Sequence, residues 1–349
     1  MAGYASGEQP DNELTIKLNT NENPYPPSPQ VSNVLSQIKP ESLRRYPPAT
    51  AQKFRQLAAE LHGLDLKNVI ATRGGDELLR LVITTFVDPG EKIGMTDPTY
   101  SLYSVLAQIQ DCPIVNAPLL ADWTLPEEFA QSMNDQKVKL TFLVNPHAPT
   151  GALMPVDQIS KLASKLNSIL LLDEAYIDFV DHHYQTAQLV KEHDNLIILR
   201  TLSKGYSLAG LRFGYGLADQ LLIAPMLHKT RDSYNLDFIS QRVAEAAIAD
   251  QDHVRANAKK VILERDRLRA ELQVLGIYCA DSQANFLLAT IPDTIKFSAA
   301  ELYQKLKDRH VLVRYFNAQR LDNKLRVSIG TGEENDQLLS TLVDILKQS

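Results

Sequence analysis

The chain has 349 residues, with 36 Lys and Arg against 42 Asp and Glu and a formal net charge of −6. Its basic residues are dispersed, without a cationic stripe or aromatic interleaving, which argues against a nucleic-acid surface. No run approaches the roughly 18 apolar residues of a membrane span, the opening MAGYASGEQPDNEL lacks a secretory pattern, and Cys112 and Cys279 form neither a metal spacing nor a disulfide framework. The expectation is a cytoplasmic enzyme with no metal site and no membrane or nucleic-acid partner, long enough for a large domain and a smaller one.

In chain order, residues 1 to about 13 are polar and rich in turn formers and are expected to be mobile. From about 51 to 215, strand-like runs alternate with helical patterns. NVIAT precedes GGDELLRLVITTFV, KIGMT precedes YSLYSVLAQIQ, and CPIVNAPL supplies a further strand. KLTFLV leads through NPHAPTG to the helical PVDQISKLASKLN, after which SILLLDEAY and NLIILR resume the strand pattern. These runs predict an α/β fold with helices on both faces of a mostly parallel sheet. FGYGLAD reads as one more strand, of opposite direction, and roughly 232 to 275 reads as a long helical region. From 276 a smaller alternation begins (CADSQANFLLATI, SAAELYQKLKDRH, VLVRYF, KLRVSIG, EENDQLLSTLVDILKQS), which predicts a small α+β domain over 276–349.

Chemistry concentrates at the ends of the predicted strands. In TLSKGYSLAGLRFGY, Lys204 emerges after NLIILR among small residues, with Arg212 eight positions on. A lysine there becomes a nucleophile if burial or a nearby cation lowers its pKa; exposure or anion binding is the alternative. Asp173 ends the apolar LLLD run and Tyr176 follows it, giving a carboxylate and a hydroxyl that suit either chemistry or structural hydrogen bonding. Gly75 and Asp76 open a helix after a strand, where free N–H groups suit a phosphate or an ordinary cap. Tyr100 in DPTYSLY suits a planar ligand or the core.

Taken together, NTNENPYPPSP, RYPP, TRGGDE, DPTYSLY, NPHAPTG, LLDEAY, TLSKGYSLAGLRFGY, VLVRYF and LRVSIG resemble the pyridoxal-phosphate-dependent fold-type-I aminotransferases, specifically histidinol-phosphate aminotransferases. The resemblance runs from Leu18 to the C-terminal helix, and it implies an aspartate-aminotransferase-like large domain over 47–275. The arm over 1–46 then contacts the small domain and a dimer partner.

By that resemblance Lys204 carries pyridoxal 5′-phosphate covalently, Asp173 pairs with its ring nitrogen, Tyr176 bonds its phenolic oxygen and Tyr100 stacks on its ring. Gly75, Asp76, Thr201, Ser203 and Arg212 hold its phosphate, with Tyr46 arriving from the other subunit of a homodimer with shared sites. Arg326 grips an amino-acid carboxylate, and Arg314 takes the distal phosphate of L-histidinol phosphate. Asn21, Glu22, Asn23 and Tyr25 close the substrate site, Tyr25 across the dimer. One departure stands out: Ala148 occupies the position before PTG where the commoner pattern has asparagine, so the lost hydrogen bond falls to Tyr176 and water, or to His147. The implied reaction exchanges an amino group between L-histidinol phosphate and 2-oxoglutarate, with glutamate as donor in histidine biosynthesis. An aromatic-amino-acid aminotransferase, a threonine-phosphate decarboxylase-like enzyme and a non-catalytic cofactor-binding protein are the rivals.

Overall fold

The computed structural model describes residues 3, 7–10, 14–181 and 183–347. Of the tail expected to be mobile, Glu8 is held in place: its carbonyl accepts from Asn19 Nδ2 at 2.8 Å and its carboxylate pairs with Lys307 at 2.8 Å. The rest of that expectation falls partly on residues outside those described.

Among the described residues, thirteen strands follow in order: β1 (Ile16–Lys17), β2 (Val69–Thr72), β3 (Lys92–Asp97), β4 (Ile114–Pro118), β5 (Val138–Val144), β6 (Ile169–Asp173), β7 (Leu196–Thr201), β8 (Gly214–Ala218), β9 (Tyr278–Cys279), β10 (Phe286–Thr290), β11 (Val311–Leu312), β12 (Arg314–Tyr315) and β13 (Lys324–Ser328). Seven of them form one sheet in the order β2-β8-β7-β6-β5-β3-β4. All its pairings are parallel except those of β8, which runs antiparallel to β2 and β7. The apolar runs explain this sheet. Leu170, Leu172, Leu196 and Ile198 face one core, while Leu171, Ile197 and Leu199 face another, so each central strand is buried on both sides.

A smaller antiparallel sheet, β12-β13-β10-β9, has its own core, and β1 and β11 pair in parallel as a separate two-stranded sheet that contributes Ile16 and Val311 to that core. Two local readings change. The helical region over 232–275 is two helices, Phe238–Ala249 and Gln251–Val274, because Asp250 leaves the helix and caps the second by accepting from His253 N–H at 3.3 Å. The second helix buries Ala258, Val261, Leu268 and Leu272 in the small core rather than in the large one. VLVRYF splits at Val313, with β11 turning to β1 and β12 to β13. Among the described residues, no helix is long and apolar enough to cross a membrane.

Candidate active site

A cleft of about 670 Å³ opens where the C-terminal ends of β3, β5, β6 and β7 meet the small unit's segment after β12. Strand ends in a parallel sheet leave N–H groups and side chains free of the ladder, so function collects there. Lys204 lies just past β7. Its amine donates to the Thr20 carbonyl at 3.0 Å and stands 6.0 Å from the Tyr176 ring centroid. Burial lowers its pKa to about 8; Arg326, Arg212 and Lys17 add to the effect and Glu22 opposes it.

Asp173, only 5% exposed, closes β6. Its carboxylate accepts from the Tyr103 hydroxyl at 2.8 Å and from the Ala175 N–H at 3.1 Å. Burial raises its pKa to about 6 against those two hydrogen bonds, so the site holds a carboxylate in want of a cationic partner. Tyr103 is a residue the sequence reading missed. It stacks on Phe142 at 4.6 Å, and the signal for it was its place in the first turn of the helix Leu102–Ile109, three residues after Tyr100. Thr99 was also missed: its hydroxyl is buried at the cleft with no hydrogen-bond partner among the described residues.

The opposite corner is built from glycine. The helix Gly74–Phe86 begins there, and Arg212 donates to Asp76 at 3.1 Å and to Ser203 Oγ at 3.3 Å, while Thr201 donates to Ser203 Oγ at 3.0 Å. A Cβ on Gly74, whose φ is 78°, would lie 2.9 Å from the Arg212 guanidinium. A Cβ on Gly214 would lie 2.8 Å and 2.9 Å from backbone atoms of Gly74 and Gly75. Absent side chains thus leave a concavity with helix N–H groups, two hydroxyls and one guanidinium around it.

The N-terminal motif reaches the same cleft. Asn21 Nδ2 donates to the Tyr176 hydroxyl at 3.0 Å, and Asn23 Nδ2 donates to the Lys204 carbonyl at 3.2 Å. Glu22 pairs with Lys17. Tyr100 lines the cleft edge-on to Tyr103 at 5.5 Å. Within the one chain, Tyr25 instead faces the Lys260 ammonium at 4.9 Å, and Tyr46 is 81% exposed, stacked on Tyr234 at 4.5 Å. His147 is buried with both ring nitrogens engaged, by Thr150 Oγ1 at 2.8 Å and the Pro98 carbonyl at 3.0 Å. Its neighbours Ala148 and Pro149 line the cleft.

Arg314 and Arg326 stand directly opposite each other in the antiparallel β12–β13 register, and both line the cleft. The Phe316 ring centroid stands 5.6 Å from the Arg314 guanidinium and 5.5 Å from that of Arg326. Arg326 also donates to the Asn19 carbonyl at 3.0 Å. Like charges paired across strands are destabilising. Their joint presence concentrates positive charge at that wall of the cleft.

The class I and II aminotransferase family matches residues 14–342. The chain belongs to this family. Histidinol-phosphate aminotransferase 1 of Nostoc sp. strain PCC 7120 is 42% identical over 348 residues, covering 99% of this chain and 96% of the relative. The histidinol-phosphate aminotransferase of Citrifermentans bemidjiense is 40% identical over 346 residues, covering 99% and 96%. Among solved structures, histidinol-phosphate aminotransferase from Sinorhizobium meliloti in complex with pyridoxal-5′-phosphate superposes with a TM-score of 0.89 at 24% identity, covering 95% of this aminotransferase and 90% of that chain. L-threonine-O-3-phosphate decarboxylase from Porphyromonas gingivalis follows the same fold, with a TM-score of 0.82 at 19% identity and coverage of 95% and 99%.

Proposed function

We propose that this aminotransferase exchanges an amino group between L-histidinol phosphate and 2-oxoglutarate, with glutamate as the donor in histidine biosynthesis, and that it works as a homodimer with shared sites. The relatives named above support the substrate pair. The observation that carries it is the Arg314–Arg326 pair, which offers one anion site to glutamate's α-carboxylate and a second to the distal group of either substrate.

The site fits pyridoxal 5′-phosphate. The glycine-bounded concavity suits its phosphate, received by the N–H groups of Gly75 and Asp76, by Thr201, Ser203 and Arg212, and by Tyr46 of the partner subunit. Asp173 would face the ring nitrogen, Tyr176 the phenolic oxygen and Tyr100 the ring, with Lys204 as the covalent anchor. When bound, the cofactor supplies a carbonyl carbon for the amino group and an electron sink for the neighbouring carbon.

The chain's own groups do the rest. Once the substrate's amino group has taken its place on the cofactor, the freed Lys204 amine, whose pKa burial lowers to about 8, would be the base that takes the proton from the carbon bearing that amino group. Asp173 keeps a negative charge at the sheet's end, and Tyr103 keeps that carboxylate oriented. Asn21 fixes the Tyr176 hydroxyl, while Asn23 ties the N-terminal motif to the backbone beside Lys204. His147 holds the NPHAPTG turn, leaving Tyr176 and water to serve the oxygen that asparagine serves in the commoner pattern. Tyr25 completes the substrate site from the partner side, and Glu22 holds Lys17 near the amine.

The test is a set of half-reactions with Arg314→Ala and Arg326→Ala. Arg314→Ala is expected to lower kcat/KM for L-histidinol phosphate by about 2 kcal/mol, roughly thirtyfold, with little change for histidinol. Arg326→Ala is expected to impair glutamate most. Equal losses for histidinol and its phosphate would refute the role of Arg314. Conversion of aromatic amino acids without L-histidinol phosphate would favour an aromatic aminotransferase, and carbon dioxide release a decarboxylase.

A further inference from the structure

Arg320 lies outside every group used above, yet it joins the two halves of the molecule at the rim of the cleft. It closes a turn between β12 and β13, where the Leu321 N–H donates to the Ala318 carbonyl at 3.0 Å. Its φ is 67°, in the left-handed region that non-glycine residues rarely take. From that turn its guanidinium crosses to the loop after the edge strand β4. Nη1 donates to the Leu119 carbonyl at 2.6 Å, Nη2 donates to the Leu120 carbonyl at 2.7 Å, and Cζ stands 4.3 Å from the Trp123 ring centroid. Trp123 also has left-handed backbone, with φ 68°, in a turn where its N–H donates to the Leu120 carbonyl at 3.1 Å. Two side-chain-bearing residues in an unfavourable conformation thus meet face to face, an arrangement that persists only where surrounding contacts fix it.

The clasp has a consequence inside the cleft. The segment from Arg314 to Leu321 is tied at one end by β12 pairing with β13 and near the other by Arg320. Between the ties, Phe316, Asn317 and Ala318 line the cleft, and the Phe316 ring stands within 5.6 Å of both the Arg314 and the Arg326 guanidinium groups. We infer that Arg320 is a positioning residue: by clasping Leu119, Leu120 and Trp123 it holds Phe316 against both arginines and so sets the anion-binding wall for the substrate. The substrate named here, L-histidinol phosphate, rests on the proposed function. Lysine is a poor substitute, because two divergent carbonyls and a ring face call for a planar fork of donors.

Trp123 is the only tryptophan in the sequence, so its emission reads the clasp directly. Arg320→Gly is the informative variant, since glycine accepts the 67° turn while removing the clasp. In the holoenzyme, acrylamide quenching of Trp123 is expected to increase about twofold as the guanidinium leaves the indole face. KM for L-histidinol phosphate is expected to rise about tenfold, with kcat and cofactor affinity changing less than about twofold. Arg320→Lys should resemble the glycine variant, and Trp123→Leu, which keeps the two carbonyl bonds, should give a smaller rise in KM. Unchanged quenching in Arg320→Gly would show that the clasp does not exist in solution. Increased quenching with KM unchanged, or a fall in kcat and cofactor affinity instead, would overturn the positioning role. If the unmodified enzyme fails to use L-histidinol phosphate, the substrate assignment falls. The clasp is then judged by quenching and by KM for glutamate, whose carboxylates face the same two arginines.

Discussion

His147 shows how one residue's surroundings decide between two chemistries that its type allows. The Pro98 carbonyl can only accept, so Nε2 carries the proton, and Nδ1 accepts from the Thr150 hydroxyl. That assignment describes a neutral ring. Burial lowers its pKa to about 4, against the opposing pull of the Pro98 carbonyl. The folded pKa is below the unfolded value of about 6.5, so its contribution to stability is complete above that value and is lost as pH falls toward 4. At pH 5 the unfolded chain binds a proton that the folded one refuses, at a cost of about 2 kcal/mol. His147→Asn is therefore expected to lose less stability than the unmodified protein between pH 7 and pH 5, by about that amount, measured by urea unfolding at each pH. Equal losses in the two proteins would mean that the ring is protonated in the fold.

At the level of elements, the concavity proposed for the cofactor's phosphate depends on β8, which runs antiparallel to its neighbours in the large sheet. Gly214 begins β8 and is paired with Thr72 on one side and Thr201 on the other, the residues leading into Gly74–Gly75 and Ser203–Lys204. A methyl group there meets backbone, which cannot rotate away, so Gly214→Ala should widen the concavity and weaken binding of pyridoxal 5′-phosphate by at least about tenfold. Gly216→Ala is the matched control. Its Cβ would lie 2.9 Å from Leu78 Cδ2 and 3.1 Å from Ile70 Cγ2, so it should lower Tm with little effect on affinity. Titration of cofactor absorbance on both variants separates the cases, and equal affinities would remove Gly214 from the site's construction. The strands beside it were legible in the sequence because burial on both faces demands unbroken apolar runs such as ILLLD and LIILR. The break at Asp250 was not, since its cap is reinforced by the Ser28 hydroxyl, donated at 2.5 Å from more than two hundred residues away. Nor was the Arg314–Arg326 pairing, which depends on a register between strands that sequence spacing does not specify. The positions of Lys204, Asp173 and Tyr176 at the cleft were legible because each ends or follows a readable strand, and that of Arg212 because it stands just before another.

The molecule as a whole presents a stacked pair of aromatic rings to its exterior. Tyr46 is 81% exposed and Tyr234 is 49% exposed, stacked on each other rather than buried in their own chain. Tyrosine pairs of this kind are enriched at protein interfaces. A two-fold dimer brings the same patch of each subunit against its partner, so any residue that crosses one way also crosses the other. If Tyr46 serves the neighbouring subunit's phosphate site while Lys204 serves its own, the two functions can be separated genetically. Lys204→Ala should abolish turnover, and Tyr46→Ala should weaken cofactor binding. When the two variants are mixed after dissociation, each hybrid dimer contains one site with both defects and one site with Lys204 and Tyr46 intact. At equal mixing half the dimers are hybrids with one whole site each, so turnover at limiting cofactor should recover to about a quarter of that of the unmodified enzyme. Failure to rise above the average of the two separate variants would place Tyr46 in its own subunit's service, or outside the site altogether.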